Sequence, residues 1–320
     1  MQPHKPVPLD QIRAARERIA GAAIRTPLIR LNVDDAPTEI YLKLENLQPI
    51  GSFKLRGASN AMQLASHEEL AKGVWTASAG NMAQGVAWYA RKLGIPCSVV
   101  VPDTAPAAKL SALERLGARI IKVSHAEWFH VFSTRTYEGM DGLFVHAFSD
   151  PAVMAGNGTI GLEILEDLPD LDTVLVPYGG GGLVCGIASA LRALKPAVKI
   201  YACEVDTAAP LAASFAAGEP VAITYTPSFV DGIGSPHLFP EMWSLARQLL
   251  DGSLVVSLPE VARTVALLAE RNHVIAEGAG ATPIAAALAA KAGPGKVVCI
   301  VSGGNIDTAK LTRILQGETP

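Results

Sequence analysis

Short apolar runs alternate with amphipathic, alanine-rich stretches along most of the chain. The runs CSVVVPDT and TVLVPYGGGG are followed by the helical patterns APAAKLSALERLGA and LVCGIASALRALKP, and the apolar segments KIYACEVDT and VVCIVSGGN continue the series. Continuous apolar strands are typical of parallel sheets that helices cover on both faces. The pattern therefore predicts a doubly wound α/β fold.

The alternation is interrupted once, and the interruption predicts two domains. Strands and helices alternate over residues 75–123, a polar and aromatic stretch (HAEWFHVFSTRTYEGMDG) follows, and the alternation resumes near residue 173. We expect a small α/β domain over residues 53–145 and a large domain formed by residues 1–52 and 146–320. A ligand should lie between the two, at the carboxyl ends of the strands.

Composition and charge narrow the class of protein. Of the 320 residues, 49% are hydrophobic and 18% are charged, which favours a large buried core over disorder. The formal net charge is -3, without a basic stripe, which argues against nucleic acid or an anionic membrane as the partner. We therefore expect a small molecule as the partner.

The cysteines and the N-terminus indicate a reducing compartment. Each of the four cysteines lies in an apolar run and none forms a C-x-x-C pair, which favours buried thiols over disulfides or a zinc site. The N-terminal stretch MQPHKPVPLD is polar and interrupted by proline, unlike a signal peptide. No apolar run approaches the roughly 18 residues that span a bilayer. We expect a cytoplasmic protein.

One lysine stands among apolar residues and glycines, in the segment GSFKLRGA at the predicted start of a helix. A lysine near a helix end commonly extends its ammonium group to solvent along an apolar stem. Alternatively, desolvation and the positive end of the helix dipole lower the pKa of the Lys54 amine, which suits an amine that forms a Schiff base. The segment alone leaves both interpretations open.

Two further segments are typical of anion binding. Small polar residues in SAGNMAQG (78–85) precede a helix, and their free N–H groups suit a carboxylate, although Ser78 or Asn81 would also serve as an ordinary N-cap. Four glycines, Gly179, Gly180, Gly181 and Gly182, connect the strand VLVPY to a helix and suit a phosphate; a tight turn is the alternative. The dinucleotide fingerprint is missing, because Val184 or Cys185 fills its third glycine position.

A fourth segment, Ser302-Gly303-Gly304-Asn305, follows the strand VVCIV. A serine at the carboxyl end of a strand is placed to hydrogen-bond a heterocyclic nitrogen. A glycine turn into the last helix explains the segment equally well.

These four segments, in this order, resemble the fold-type II pyridoxal-phosphate enzymes, and among them the serine/threonine dehydratases and serine racemases. The resemblance extends from Thr26-Pro27-Leu28 through Leu42-Lys43-Leu44-Glu45 to Asp307. It implies two doubly wound open sheets, as in the tryptophan synthase β fold, with the active site between a small and a large domain. It also implies pyridoxal 5′-phosphate as cofactor and a homodimer.

The resemblance implies a role for each matching residue around the cofactor. Lys54 is expected to form the Schiff base and to move the α-proton. The remaining cofactor contacts are Phe53 against the ring, Asn81 on its 3′-oxygen, Gly179–Gly182 on the phosphate, Ser302 at the pyridine nitrogen and Glu277 as an orienting carboxylate.

The substrate side is also implied by the resemblance. Ser78, Asn81 and Met82 are expected at the substrate carboxylate, and Asp231 beside the substrate side chain. Ala79 differs from the serine racemases, which have a serine as second base at this position. Because alanine cannot transfer a proton, elimination is favoured over racemisation.

Met82 replaces the histidine that is usual in this segment. Together with Phe148 and Phe229 it could form a more apolar substrate pocket, which would favour 3-phenylserine over threonine or serine. The alternative is a neutral exchange in which the backbone N–H of residue 82 does the binding.

Some relatives hold a divalent cation with a glutamate, a backbone carbonyl and an aspartate. Glu204 and Ala208 match the first two positions, but Pro210 stands in place of the aspartate. Because the loss of a carboxylate weakens a site for a hard cation, we predict no metal here.

The residues and the resemblance together predict a dehydratase, or ammonia-lyase, that converts a 3-hydroxy-L-amino acid to a 2-oxo acid and ammonia. A serine racemase-like isomerase and a β-replacement synthase are the alternatives. A nicotinamide-dependent oxidoreductase shares the α/β architecture but lacks its fingerprint.

Overall fold

The computed structural model describes residues 3–320. Its α-helices are α1 (Leu9–Ile19), α2 (Lys54–Leu64), α3 (His67–Ala71), α4 (Asn81–Leu93), α5 (Ala107–Arg115), α6 (His125–Thr134), α7 (Pro151–Asp167), α8 (Gly182–Leu194), α9 (Pro210–Ala217), α10 (Pro240–Leu249), α11 (Leu258–Leu267), α12 (Gly278–Leu288) and α13 (Thr308–Leu315). Its strands are β1 (Leu28–Arg30), β2 (Glu39–Lys43), β3 (Val74–Ala77), β4 (Cys97–Pro102), β5 (Arg119–Val123), β6 (Leu143–Phe144), β7 (Thr173–Pro177), β8 (Lys199–Val205), β9 (Gly252–Val256) and β10 (Lys296–Ile300). Short 3₁₀ turns cover Glu45–Leu47 and Asp231–Ile233, and a π-helical turn covers Leu268–Asn272.

The strands form two sheets, and the α/β prediction is confirmed. The larger sheet has the order β1-β2-β10-β7-β8-β9, and the smaller has the order β5-β4-β3-β6. All neighbouring strands are parallel except β1, which pairs antiparallel with β2 at the edge. All strands of the smaller sheet lie within the range expected for the small domain, although the exact domain bounds stay a prediction.

Both sheets are covered on both faces, as their continuous apolar strands require. In β7, Val174 and Val176 pack into one core cluster and Leu175 into another. In β4, Val99 and Val100 are divided between two clusters in the same way. Successive side chains of a strand point to opposite faces, so a strand that is buried on both faces has no polar alternation.

The stretch that was expected only to interrupt the alternation contains α6. The Ser124 hydroxyl accepts the N–H of Glu127 and so caps the first turn of this helix. Val131 and Phe132 then pack with Trp75 and Val100 on one face of the smaller sheet. Its polar and aromatic composition reflects a helix with one buried face.

The cysteines and the lengths of the helices also bear on predictions made from the sequence. The four cysteines are buried and unpaired, which confirms the thiol prediction. Among residues 3–320, no helix combines the length and the apolar character that crossing a bilayer requires.

Candidate active site

The segments predicted to carry chemistry meet at the carboxyl ends of strands from both sheets. Ser78 follows β3, Gly179 follows β7 and Ser302 follows β10. In open α/β sheets this edge is where ligands bind, because helix N-termini and loops converge there.

The lysine segment is fixed to the end of β10 by backbone hydrogen bonds. Phe53 N–H donates to the carbonyl of Ser302 at 3.0 Å, and Gly304 N–H donates to the carbonyl of Gly51 at 2.9 Å. Helix α2 then begins at Lys54 without a side-chain cap. The lysine therefore lies in the first turn of a helix and beside the buried Ser302.

The Lys54 amine has no carboxylate in contact among residues 3–320. Its Nζ donates to the carbonyl of Ala147 at 2.6 Å and lies 5.1 Å from the centroid of the Phe53 ring. Desolvation lowers the pKa of Lys54 to about 8, and the charge of Glu277 opposes this shift. Roughly a tenth of the amine is then neutral at pH 7, far more than for an exposed lysine. This supports the Schiff-base interpretation of the segment over a solvent-directed lysine.

The glycine loop leaves the first turn of α8 without a side-chain cap. Gly181 adopts a φ of +88°, which favours glycine, and α8 begins at the next residue. A Cβ at Gly180 would collide with the ring of Phe148, and one at Gly182 would lie 2.6 Å from the Phe148 carbonyl oxygen. These glycines therefore permit close backbone approach, and the first-turn N–H groups suit a phosphate.

Helix α4 begins in the same uncapped way. Its N-cap residue is Gly80, which has no side chain to accept a first-turn N–H group. The hydroxyl of Ser78 accepts the N–H of Gly80 itself, at 3.2 Å. Gln84 N–H is the first to find an intrahelical carbonyl, that of Gly80. The preceding first-turn N–H groups, including that of Met82, suit a substrate carboxylate.

Asn81 joins this helix start to the larger sheet. Its Nδ2 donates to both carboxylate oxygens of Glu277, at 3.0 and 3.1 Å, and its Oδ1 accepts from Nδ2 of Asn305 at 2.8 Å. Glu277 N–H donates to the carbonyl of Gly303 at 2.9 Å. Burial raises the pKa of Glu277 to about 7, and the hydrogen bond from Asn81 opposes this shift. The amide and the carboxylate orient each other beside the end of β10.

Asp231 lies at the rim of the site. Its carboxylate is exposed and accepts from Nζ of Lys109, in α5, at 2.9 Å. The next residue, Gly232, approaches the Glu277 carboxylate, because a Cβ there would lie 3.5 Å from Oε1. The position therefore agrees with a residue that borders the substrate, although that role stays a prediction.

The structure does not bring the side chains of Met82, Phe148 and Phe229 together, and their role at the substrate stays a prediction. Met82 is 1% exposed in the core that covers the smaller sheet, and Phe229 is 5% exposed in a core cluster of the larger sheet. Phe148 belongs to a separate aromatic group with Phe132 and Phe239. The side chain of Met82 packs in the core beneath α4, with residues of the smaller sheet. Residue 82 can therefore reach a ligand through its backbone N–H.

Glu204, the first position of the metal pattern, has a structural role. Its oxygens accept the N–H groups of Leu211 and Ala212, at 2.9 and 2.8 Å, and the hydroxyl of Ser253 at 2.6 Å. The carboxylate therefore caps the N-terminus of α9, which is favourable for a negative charge.

Three residues that contact the predicted site residues were not predicted from the sequence: Ala147, Asn305 and Lys109. The Ala147 carbonyl has no sequence signal, because any residue supplies one. Asn305 ends the segment Ser302-Gly303-Gly304-Asn305, and a polar amide after two glycines is a signal that could have identified it as a site residue. Lys109 lies in an ordinary helical pattern and gives no such signal.

The residues present fit pyridoxal phosphate. An amine with a lowered pKa suits the aldehyde, and an uncapped helix start after four glycines suits the phosphate. The carbonyl contact of Ser302 with Phe53 places the buried serine beside the lysine segment. Lys54, the glycine loop, Asn81, Glu277 and Ser302 would hold this cofactor.

Comparison with known proteins also indicates a pyridoxal-phosphate enzyme. Residues 19–303 match the family model of the pyridoxal-phosphate dependent enzymes. The chain is 40% identical over 315 residues to the L-threonine ammonia-lyase of Geobacter sulfurreducens, covering 97% of this chain and 78% of that protein. It is 39% identical over 318 residues to the catabolic L-threonine dehydratase TdcB of Escherichia coli, covering 97% and 96%. The fold matches that of maize serine racemase with a TM-score of 0.88 and 34% identity, over 98% of each chain.

Proposed function

The chain belongs to the pyridoxal-phosphate dependent enzymes and is a lyase of that family, and from this premise we propose that it dehydrates 3-hydroxy-L-amino acids. The substrates are of the serine, threonine or 3-phenylserine type, and the products are a 2-oxo acid and ammonia. Two relatives named for threonine ammonia-lyase or dehydratase activity support this reaction over others of the family.

The Lys54 amine is the observation that carries the proposal. With a pKa of about 8, it is partly neutral near physiological pH and can accept the α-proton of the substrate. Pyridoxal phosphate, when bound, supplies an electron sink for the substrate α-carbon. Loss of the α-proton and of the 3-hydroxyl group as water leaves an enamine, which hydrolyses to the 2-oxo acid and ammonia.

The start of α4 orients the substrate. Its uncapped N–H groups, including those of Asn81 and Met82, would bind the α-carboxylate at the positive end of the helix dipole. Ala79, in the loop before this helix, offers no group that could return a proton from another direction. The arrangement therefore favours elimination over inversion.

The proposal is tested by the cofactor and by the product together. The purified protein should show the yellow absorbance of bound pyridoxal phosphate, and borohydride reduction should label Lys54. L-threonine, L-serine and 3-phenylserine should be compared for release of 2-oxo acid and ammonia. A yellow protein that releases no 2-oxo acid from any of these substrates would refute the dehydratase assignment but not the cofactor site.

An amino-acid racemase is the second candidate. The match to maize serine racemase favours it, and Ala79 argues against it. Loss of optical activity from L-serine without keto-acid release would reverse the ranking.

We also expect a homodimer in the cytoplasm. Ile24, Leu47 and Ile275 are 46%, 48% and 42% exposed. Hydrogen bonds join Ile24 to Gln48 and Asn46 to Ile275, so all three lie around one short 3₁₀ turn. Light scattering coupled to size-exclusion chromatography tests the oligomeric state, and cell fractionation tests the location.

A further inference from the structure

The turn between β6 and α7, residues 146–149, contacts two parts of the candidate site. The carbonyl of Ala147 accepts the hydrogen bond from Nζ of Lys54 at 2.6 Å. The ring of Phe148 packs against the glycine loop, where a Cβ on Gly180 would collide with it. One short turn therefore contacts the reactive amine and adjoins the predicted phosphate loop.

The side chain of His146 closes this turn. Its Nδ1 accepts the N–H groups of Phe148, at 3.2 Å, and of Ser149, at 2.8 Å. Two N–H donors require a lone pair on Nδ1, so the imidazole is neutral and carries its proton on Nε2. Burial, with the nearby charges of Arg135 and Lys54, lowers the pKa of His146 to about 3. The acceptor is therefore present over the whole physiological pH range.

Aromatic rings hold the imidazole in this orientation. His146 is 2% exposed, and the ring centroids of Phe132 and Phe148 lie 4.6 and 4.8 Å from its own, the latter edge-on. A packed ring loses little entropy when it accepts hydrogen bonds, because its rotamer is already fixed.

The far end of the turn is fixed as well. The Ser149 hydroxyl donates to Oε1 of Glu241 at 3.0 Å, and the guanidinium of Arg135 donates to the Ser149 carbonyl at 2.7 Å. Helix α7 begins just beyond, where the Asp150 carboxylate accepts the N–H of Ala152 at 2.7 Å. Between these anchors, His146 accepts the backbone N–H groups of Phe148 and Ser149, and Lys54 donates to the carbonyl of Ala147.

We propose that His146 is a positioning residue, which fixes the 146–149 turn so that the Ala147 carbonyl points at Lys54 and Phe148 lies against the glycine loop. It acts through Ala147 and Phe148 and transfers no proton. The inference depends on cofactor binding at Lys54, and it is independent of which hydroxy-amino acid reacts.

Two substitutions separate hydrogen bonding from packing. In His146→Asn, Oδ1 occupies nearly the place of Nδ1 and can accept the same N–H groups, but the ring is lost. In His146→Phe, the ring is kept and the acceptor is lost. Phe132→Leu is the matched control, because it removes aromatic packing against His146 without removing a hydrogen bond of the turn.

The readouts concern the cofactor, measured on the full chain. We expect His146→Phe to bind pyridoxal phosphate at least about tenfold more weakly, as loss of two hydrogen bonds and misplacement of the amine imply. Its visible circular dichroism, which reports the orientation of the cofactor, should also change. His146→Asn and Phe132→Leu should stay within about threefold of the parent affinity and keep its visible spectrum.

Thermal unfolding first establishes that each variant is folded. If His146→Phe does not fold, His146→Gln replaces it, because its Oε1 lies nearer the place of Nε2 and should also fail to hold the turn. Equal cofactor affinity and spectra in the parent and the acceptor-lacking variant would overturn the proposal. A His146→Asn protein as impaired as His146→Phe would overturn it too, because an acceptor in the place of Nδ1 would then not be enough to hold the turn. A parent protein that binds the cofactor but releases no 2-oxo acid would count against the proposed function instead, and would leave the role of His146 in cofactor binding to be judged from the affinities.

Discussion

Lys43 and Lys54 lie close in sequence and are both withdrawn from solvent, but their partners differ. Lys43 is fully buried at the end of β2, and its Nζ meets a carboxylate oxygen of Glu163 and the carbonyl of Thr26, each at 2.6 Å. Lys54 meets the Ala147 carbonyl and no carboxylate among the residues described. A buried ionisable group that is paired with an opposite charge stays charged, whereas one without such a partner is easily neutralised. Lys43 is thus suited to a structural role and Lys54 to a chemical one.

Two carboxylates repeat this contrast. Glu45 accepts from Arg56 at 2.8 Å, and although burial raises the pKa of its carboxyl group, the guanidinium lowers that pKa overall. Glu277 has an amide partner, Asn81, and burial raises its pKa to about 7. Lys43, Glu45, Arg56 and Glu163 form a buried ion cluster with two charges of each sign. The candidate site contains groups of the same kinds with their pKa values shifted toward neutrality, which is typical of functional sites.

The two arrangements share one helix. Lys54 and Arg56 both lie in the first turn of α2, and Arg56 donates to Glu45 in the 3₁₀ turn and to Glu163 in α7. The ion cluster therefore fixes the helix that carries the reactive amine. The cost of burying the paired charges is met by hydrogen bonds that leave few donors unsatisfied.

The largest effect is expected on activity when the unpaired lysine is removed. Lys54→Ala should lower 2-oxo acid release by about ten-thousandfold, since it removes the general base together with the cofactor attachment. The yellow absorbance should disappear, while far-ultraviolet circular dichroism stays that of a folded protein. Lys54→Arg, which keeps the charge, should be equally inactive. A yellow and active Lys54→Ala protein would end the assignment.

The second effect concerns stability and falls on the ion cluster. Glu163→Gln should lower the free energy of unfolding by about 3–5 kcal/mol, because it leaves Lys43 and part of Arg56 buried without their carboxylate. Urea denaturation of the protein measures this change. The control is Glu166→Gln, whose partners Arg16 and Arg25 are partly exposed and whose loss should cost less than about 1 kcal/mol. Similar losses in both variants would mean that burial does not distinguish the two kinds of pair.

The third effect tests whether Glu277 acts on Lys54 through its charge. The carboxylate raises the pKa of Lys54, so Glu277→Gln should lower that pKa further. The acid limb of the pH profile of kcat, which reports the enzyme with substrate bound and the Lys54 amine free, should then move to lower pH, by up to about one unit. A shift to higher pH would contradict the charge argument, and an unchanged limb would assign it to another group.

Much of the fold could be predicted from the sequence, because strands buried on both faces are visibly continuous, as in VLVP of β7. Helix α6 could not be predicted in this way, because His125, Trp128 and Phe129 obscure the apolar pattern of a half-buried helix. The chemical segments were recognisable because they occur together and in a fixed order, although an ordinary turn or helix cap would explain each of them alone. Met82 shows the limit of prediction from sequence. The methionine in place of the usual histidine is visible in the sequence, but whether its side chain faces the cleft or the core depends on the rotation of α4 in the packed protein. The backbone carbonyl of Ala147 leaves no trace in sequence at all.

The last effect is a dependence of stability on pH that should belong to Lys54. Its pKa falls from 10.5 in the unfolded chain to about 8 in the folded protein. Between these values the unfolded state binds more protons, so this group makes the free energy of unfolding rise as pH increases from about 8 to above 10. Below pH 8 both states are charged and the full burial penalty remains. The cofactor-free Lys54→Met variant should therefore be more stable than the cofactor-free parent at pH 7, and most of this difference should be lost at pH 10. Parallel unfolding curves at these two pH values measure the effect, and a constant difference would mean that the substitution acts through packing and not through the charge that distinguishes Lys54 from Lys43.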